Sequence, residues 1–278
     1  QTNFFSMKCI IPVSKFPSQF FSFWCNTKFS LYNWIFQKPI FSYLREHYGN
    51  LALNQIESVF GFGERSTLYG GRFFQKAELT DRDVRQLNNA GIGFRIPFTN
   101  HFADWEEYQE NRVLIAKYHH ELNSVICTND DLAEWIRTDF PKFKSIEASV
   151  IKNINNPHKI KKALKIYTCV VLPMTCNDDL SFLNSIINKT QIRLFANGGC
   201  AYTCPSKICY RSQSKLNKFK GGEFQCSQPL KKRELMGMVD FDLEPLLHMG
   251  FTKFKLNLWF VHFSDNGPSG INEFSISI

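Results

Sequence analysis

Residues 124–148 read SVICTNDDLAEWIRTDFPKFKSIEA. Ser124–Cys127 is a short apolar run of strand type, and Asp130 to Phe140 carries helical periodicity that stops before Pro141. Ser145–Ala148 is a second short strand. Strand, helix and strand thus follow one another with short joints, the pattern of a parallel β/α unit.

The same rhythm extends in both directions. Upstream, Ser58–Phe62 reads as a strand. Thr80 caps a helix from Asp81 to Ala90, with Asp81 and Asp83 in its first turn and Gly91 as its stop. Gly93–Pro97 is a strand, and Trp105 to Leu122 is read as one helix. Downstream come a short helix Ile160–Lys165, a strand Tyr167–Leu172, a helix Asp178–Ile187 and a strand Gln191–Ala196. After a cysteine-rich loop at 198–226 follow a helix Asp242–Met249 and a closing strand Phe254–Trp259. Such alternation makes either a closed barrel or an open doubly wound sheet. Gly61-Phe62-Gly63 is a poor match to the dinucleotide-binding glycine pattern, so the expected fold is an α/β barrel of the TIM type, whole, incomplete or distorted, over residues 56–278. Residues 1–55 are rich in Phe, Ser and Tyr and lack the rhythm. They are expected to be an N-terminal extension packing on the barrel, with an extended segment within Ile10–Phe23 and a helix within Trp34–Tyr48 ended by Gly49.

The 278 residues are 44% apolar and 21% charged, enough for a large core and against wholesale disorder. Most of the 28 phenylalanines are expected in that core. Net charge is +8, which permits an anionic partner such as RNA. The basic residues are spread, with local runs at Lys159, Lys161, Lys162 and Lys165, at Lys215, Lys218 and Lys220, and at Lys231, Lys232 and Arg233; solvated faces are their ordinary reading. No segment reads as a signal peptide and no apolar run is long enough to span a membrane. Nine cysteines, an odd number, without such a leader point to a reducing cytoplasm, where clustered thiols serve as metal ligands or redox groups.

Barrel enzymes place their chemistry at the C-terminal ends of the strands. Asn100, His101, Ser149, Cys176 and Asn197 lie at or just past expected strand ends, although each alone is an ordinary polar loop residue. The more specific signal is Gly198-Gly199-Cys200-Ala201-Tyr202-Thr203-Cys204-Pro205-Ser206-Lys207-Ile208-Cys209, followed by Cys226 after a basic loop. Three cysteines in one loop after a strand can converge on one centre, and all-thiolate ligation suits an iron–sulfur cluster or tetrahedral zinc. The glycine pair permits close backbone approach; Lys207, Arg211 and nearby amides are candidates to offset thiolate charge. The C-x3-C-x4-C spacing is neither a paired zinc knuckle nor the usual radical S-adenosylmethionine motif, so buried thiols stand as the alternative. That plainer reading is the one given to Cys9, Cys25, Cys127 and Cys169.

Taken in order, several segments resemble the peptidase U-32, or collagenase-like, family. Leu79–Arg95 resembles its helix and following "aGi.fRi" strand. Ser124–Leu132 resembles a strand and helix start, and Phe140-Pro141 with Glu147-Ala148-Ser149 and Asn155 resembles its "P.l.ih.S...n..N" stretch. Val170–Pro173, Leu194–Cys200 and Gly250–Leu256 resemble its later strands. The resemblance implies a barrel whose cysteines hold a four-iron cluster (4Fe-4S). Family members are described as proteases or as proteins for oxygen-independent hydroxylation of RNA bases or ubiquinone precursors, often working with a related partner subunit. The family's first three cysteines map to Cys200, Cys209 and Cys226; the fourth has no clear counterpart, and Cys204 is its natural substitute. Three departures stand out. Arg193 replaces a family glutamate, Asn197 a histidine, and Asn257-Leu258-Trp259 the closing Glu-Gly-Arg.

The resulting expectation is an iron–sulfur barrel protein that modifies RNA or a small aromatic, with Asn100, His101, Asn155 and Asn197 positioning substrate. Zinc is the alternative metal, and a non-catalytic partner protein with a structural metal is the alternative role. Proteolysis lacks its machinery: there is no Gly-x-Ser-x-Gly and no His-Glu-x-x-His, and His119-His120-Glu121 reads as an ordinary helix end.

Overall fold

The computed structural model describes residues 28–32, 39–48, 51–204, 206–227 and 239–257. Its strands are β1 (Lys28–Tyr32), β2 (Ile56–Phe60), β3 (Gly93–Phe98), β4 (Ser124–Cys127), β5 (Ser145–Ala148), β6 (Cys169–Val171), β7 (Ile192–Phe195), β8 (Asn197–Gly198), β9 (Val239–Asp240) and β10 (Lys253–Leu256). Strands β1–β7 and β10 are all parallel and close an eight-stranded barrel in the order β1-β10-β7-β6-β5-β4-β3-β2. β8 and β9 form a two-stranded antiparallel ribbon beyond β7.

Closure depends on β1, which pairs with β10 on one side and β2 on the other. The boundary expected at residue 56 therefore falls inside the fold: Lys28–Tyr32 is a barrel strand rather than part of an extension. A lone five-residue strand offers no periodic signal, and its two neighbours are distant in sequence. The helix expected within 34–48 is α1 (Ile40–Tyr48), which begins after Pro39. The extended segment within 10–23, Cys9, Cys25, Gly49 and the Lys231–Arg233 run lie outside the described residues.

The helices between strands follow their caps. In α2 (Asp81–Asn89) the Thr80 side chain accepts from the Asp83 amide, and Gly91 follows in left-handed geometry (φ 76) that disfavours a Cβ. The single helix expected over 105–122 is two, α3 (Trp105–Glu110) and α4 (Arg112–Lys117). The break falls at Asn111, whose buried Nδ2 donates to the Glu107 carbonyl at 2.7 Å while its Oδ1 accepts from Ser66 Oγ. α5 (Asp130–Asp139), α6 (Pro157–Ala163) and α7 (Leu180–Ser185) are capped by Asn129, Asn156 and Asp179. Past β7 come α8 (Cys200–Thr203), α9 (Cys209–Phe219) and α10 (Glu244–His248). One apolar cluster, including Val59, Phe94, Val125, Ile146, Val170, Leu194 and Phe254, joins the strands to these helices.

The barrel interior holds charge. Arg95 on β3, Glu147 on β5 and Arg193 on β7 are each 1% exposed. Residues on strands that are not neighbours can meet only across the lumen. Arg95 Nη1 lies 2.5 Å from Glu147 Oε2, and Arg193 Nη2 lies 2.5 Å from Glu57 Oε2 and 3.1 Å from Glu147 Oε1. Arg95 Nη2 also reaches Glu57 at 3.2 Å, and its Nε donates to Ser58 Oγ at 3.0 Å. Burial alone would raise both carboxyls; Arg193 and then Arg95 overcome it and hold Glu57 and Glu147 below the usual carboxylate range. Arg193, which stands where the resembling family has glutamate, is thus the hub that pairs both acids.

Such a pair contributes little net stability but is costly to break, because the surviving charges stay buried. Arg193→Met should lower unfolding free energy by about 3–5 kcal/mol, read from urea unfolding. A loss below ~1 kcal/mol would mean that water or other cations already balance these acids.

Candidate functional site

The strand partners fix which residues point inward. Arg193 faces the lumen, so Phe195, two residues on, does as well. Lys255 on β10 is in register with Phe195, and its Nζ sits 4.0 Å from the Phe60 ring centroid and 5.5 Å from that of Phe195. Lys255 therefore lies inside the barrel, on the C-terminal side of the Arg–Glu quartet, and is 6% exposed. Burial first, then Arg95 and Arg72, pull its ammonium down to about 7.

Above this layer the long β7–α10 connection folds over the C-terminal mouth. Cys200 opens α8, and the Cys204 amide closes that turn on the Cys200 carbonyl at 3.1 Å. Lys207 is left-handed (φ 49), and its amide points at Cys204 Sγ, 3.4 Å away. Cys209 is the first residue of α9. The segment with Cys226 is stapled beside it: Gln225 N donates to Ser212 Oγ at 3.1 Å, and Cys204 Sγ is 3.3 Å from Ser227 Oγ. Cys200, Cys204 and Cys226 each lie close enough to Cys209 to act on its thiol. Burial first, then Cys200, Cys226 and Cys204, push the Cys209 thiol up to about 12. None of the described cysteines is in a disulfide. As they lie, no three His, Cys, Asp or Glu side chains among the described residues are arranged to hold a single metal ion.

Beneath this loop is a second apolar cluster, with Val150, Val171, Met174 and Phe195 from the strand ends and Ala201, Cys209 and Tyr210 from the loop. Gly198 lies where a Cβ would come 2.8 Å from Met174 Sδ, so its close approach is to protein side chains at the mouth. Cys127 and Cys169 are core residues of β4 and β6, 0% and 1% exposed, and burial raises both thiols.

From Cys209, α9 crosses the mouth to the far side. Ser214 Oγ lies 3.0 Å from His101 Nδ1; Asn217 Nδ2 donates to the Arg72 carbonyl at 2.8 Å; Lys218 Nζ lies 2.6 Å from Asp104 Oδ2 and 2.9 Å from Glu107 Oε2. Lys218 is therefore an anchor and not part of a free basic face.

The expected substrate-positioning residues divide. Asn100 is fully buried, and its Nδ2 lies within 2.8–3.1 Å of the Thr67, Tyr69 and Ser214 carbonyls. Asn197 Nδ2 donates to the Asn257 carbonyl at 2.9 Å, and its Oδ1 accepts from the Asn257 amide at 2.8 Å, joining β8 to the residue after β10. Both amides hold backbone. Asn155 is exposed, and its Oδ1 accepts from Lys159 Nζ at 3.0 Å on the flank of α6. His101 stands at the mouth; burial, with Arg211 and Lys152, brings its imidazole down to about 4 and keeps it neutral near pH 7. Ser149 Oγ caps the turn after β5, while Cys176 lies in the turn after β6. His119 Nε2 accepts from the Lys142 amide at 2.7 Å and packs on Phe140 and Phe143, an ordinary place beyond a helix end.

Lys255, Tyr210, Gln213 and Asn257 were absent from the expected site. Lys255 carries a legible signal, a lysine between the apolar Phe254 and Leu256 of a strand. The others depend on the helix crossing the mouth.

No family model matches the chain, and no curated protein matches it. In fold it is similar to the solved structure of a U32 peptidase, Mk0906, with a TM-score of 0.58 and 11% identity over 84% of this chain and 94% of that one. At that identity the likeness establishes the barrel fold, the one the sequence resemblance implied.

Lys255 should imprint a pH dependence on stability. Below pH 7 its amine is charged in the folded and unfolded chain alike, and folding bears the full cost of burying it. Between about 7 and the ordinary 10.5 the unfolded chain alone keeps the proton, so stability rises with pH. The difference in thermal midpoint between wild type and Lys255→Met should therefore shift in favour of wild type from pH 6 to pH 9. A difference that does not change with pH would contradict the buried, shifted amine.

Proposed function

We propose that this chain is a divergent U32-type barrel protein that holds a four-iron cluster through Cys200, Cys204, Cys209 and Cys226 and modifies an RNA base or a small aromatic at the barrel mouth. One observation supports this reading: Cys200, Cys204 and Cys226 lie within electrostatic reach of Cys209 at the C-terminal end of the strands, where barrel chemistry sits. The donor set fits a soft metal centre. It is all sulfur, Cys204 Sγ already accepts a backbone N–H, and Cys209 starts an eleven-residue helix whose N-terminal dipole favours a thiolate. Such a cluster would supply electron transfer or a Lewis-acidic iron, with its potential tuned by these amides and by burial. Around it, neutral His101 can donate or accept one hydrogen bond, and Arg211 is available on the outer face of α9 for an anionic group. A cytoplasmic setting and a related partner subunit belong to the same reading. No helix among the described residues is long and apolar enough to cross a membrane.

A second reading, a non-catalytic protein with a structural metal such as zinc, is favoured by the backbone-holding roles of Asn100 and Asn197. Peptidase action has little support. His101 does face Ser214 Oγ, but that hydroxyl is fully buried and donates to the Tyr210 carbonyl at 2.9 Å, so it anchors α9.

Anaerobic purification with iron, sulfide and zinc analysis tests the reading. The expected outcome is a visible charge-transfer band with about four irons and four sulfides per chain, lost in Cys200→Ala, Cys209→Ala and Cys226→Ala. One zinc per chain would move the assignment to the structural-metal reading, and a metal-free, colourless protein would sink both. With the cluster in place, His101→Gln should lower turnover of an RNA or aromatic substrate without lowering iron content.

A further inference from the structure

Helices that cover a protein core bury apolar side chains. α9 instead turns Tyr210, Gln213, Ser214 and Asn217 toward the barrel, spaced so that all four share one helical face. Ser214 and Asn217 are spent on His101 and on the backbone of the loop after β2. Tyr210 Oη and Gln213 Oε1 have no hydrogen-bond partner, although these residues are 3% and 7% exposed.

The rim below carries matching groups. Arg95 faces the lumen and is in register with Ser124, so by alternation Ile126 and Thr128 also face inward; Thr128 Oγ1 is buried and unpaired. On the opposite side, Asn257 follows the inward Lys255 by two residues. Its backbone N–H and carbonyl are both held by Asn197, which fixes the residue in place. Its side chain is 1% exposed, yet neither Oδ1 nor Nδ2 has a partner. Each buried polar group left so costs about 1–3 kcal/mol, and four of them face one end of one barrel. The Phe60 and Phe195 rings, with Lys255 between them, form the floor.

We infer that Asn257, with Gln213, Tyr210 and Thr128, forms a binding subsite for a small planar ring bearing a lactam edge. The carboxamide of Asn257 presents one donor and one acceptor side by side, and its complement is an adjacent acceptor and donor, as in a cyclic amide. Gln213 Oε1 takes a further ring N–H or hydroxyl, the Tyr210 and Thr128 hydroxyls adapt to either polarity, and the aromatic floor suits a flat ring. The site uses none of the four cysteine side chains, though Tyr210 directly follows Cys209 on α9.

The test uses 2-pyridone, the simplest planar lactam, and N-methyl-2-pyridone, which keeps shape and carbonyl but lacks the N–H. Binding to the full-length protein as purified is read by ligand-observed saturation-transfer NMR and by titration. Wild type should bind 2-pyridone at least about tenfold more tightly than the methylated ring. Asn257→Leu should lose that preference while its thermal midpoint stays level or rises, because an unsatisfied buried amide has been removed. Gln213→Met on the inner face of α9 is the second variant; it should leave 2-pyridone binding unchanged but weaken binding of 4-hydroxy-2-pyridone, whose hydroxyl can donate to Gln213 Oε1. Absence of 2-pyridone binding at millimolar concentration, equal binding of both rings, or an unchanged preference in Asn257→Leu would overturn the assignment and leave these groups to bound water alone.

Discussion

The contact on which the rest of the structure depends is the grip of Arg193 on Glu57 and Glu147 across the lumen of the barrel. A guanidinium and two carboxylates buried together leave few ways to arrange their strands. β2, β5 and β7 must present these residues at one height, with Arg95 of β3 completing the balance. Once that height is set, the period-two alternation of strands places everything above it. Phe195 and Lys255 form the next layer, and Thr128, Asn197 and Asn257 come to the rim. In the family that the sequence resembles, the position of Arg193 is a glutamate. The change of sign here is balanced by two acids that face it, so it is compensated within the barrel and leaves the fold intact.

The second organising element is α9. Its first residue belongs to the cysteine group, and its last turns are tied to the loops after β2 and β3 through Asn217 and Lys218. It therefore connects the thiols mechanically to the barrel mouth. Whatever draws the four sulfurs closer acts at one end of a helix whose inner face roofs the strands. The polar character of that face is unusual for a packed helix and is the reason the mouth reads as a place for a ligand. Structural and site roles are separated along it: Ser214 and Asn217 hold the helix down, while Tyr210 and Gln213 keep their polar atoms unengaged.

Local sequence was a good guide where local physics decides. β4 and β5 begin and end where the apolar runs do, and α2 starts at the Thr80 cap. It failed where a side chain far from its neighbours in sequence intervenes. Asn111 splits one helix because its amide is engaged by Ser66 and by its own Glu107 carbonyl. β1 goes unread because its partners, β2 and β10, lie at opposite ends of the described chain. Asn100 and Asn197 are polar residues just past strand ends. Whether an amide at such a position faces substrate or backbone depends on which carbonyls the fold brings to it.

The sequence by itself determined the β/α alternation, the barrel class and the four cysteines in a single loop, because periodicity, caps and spacing are properties of neighbouring residues. Only the tertiary structure decided that Arg95, Arg193, Glu57, Glu147 and Lys255 share one interior, and that Asn257 at the rim and Gln213 on the inner face of α9 are buried with polar atoms unpaired. Those relations arise from closing the strands into a ring and laying α9 over it, and ring closure joins residues that no local pattern links.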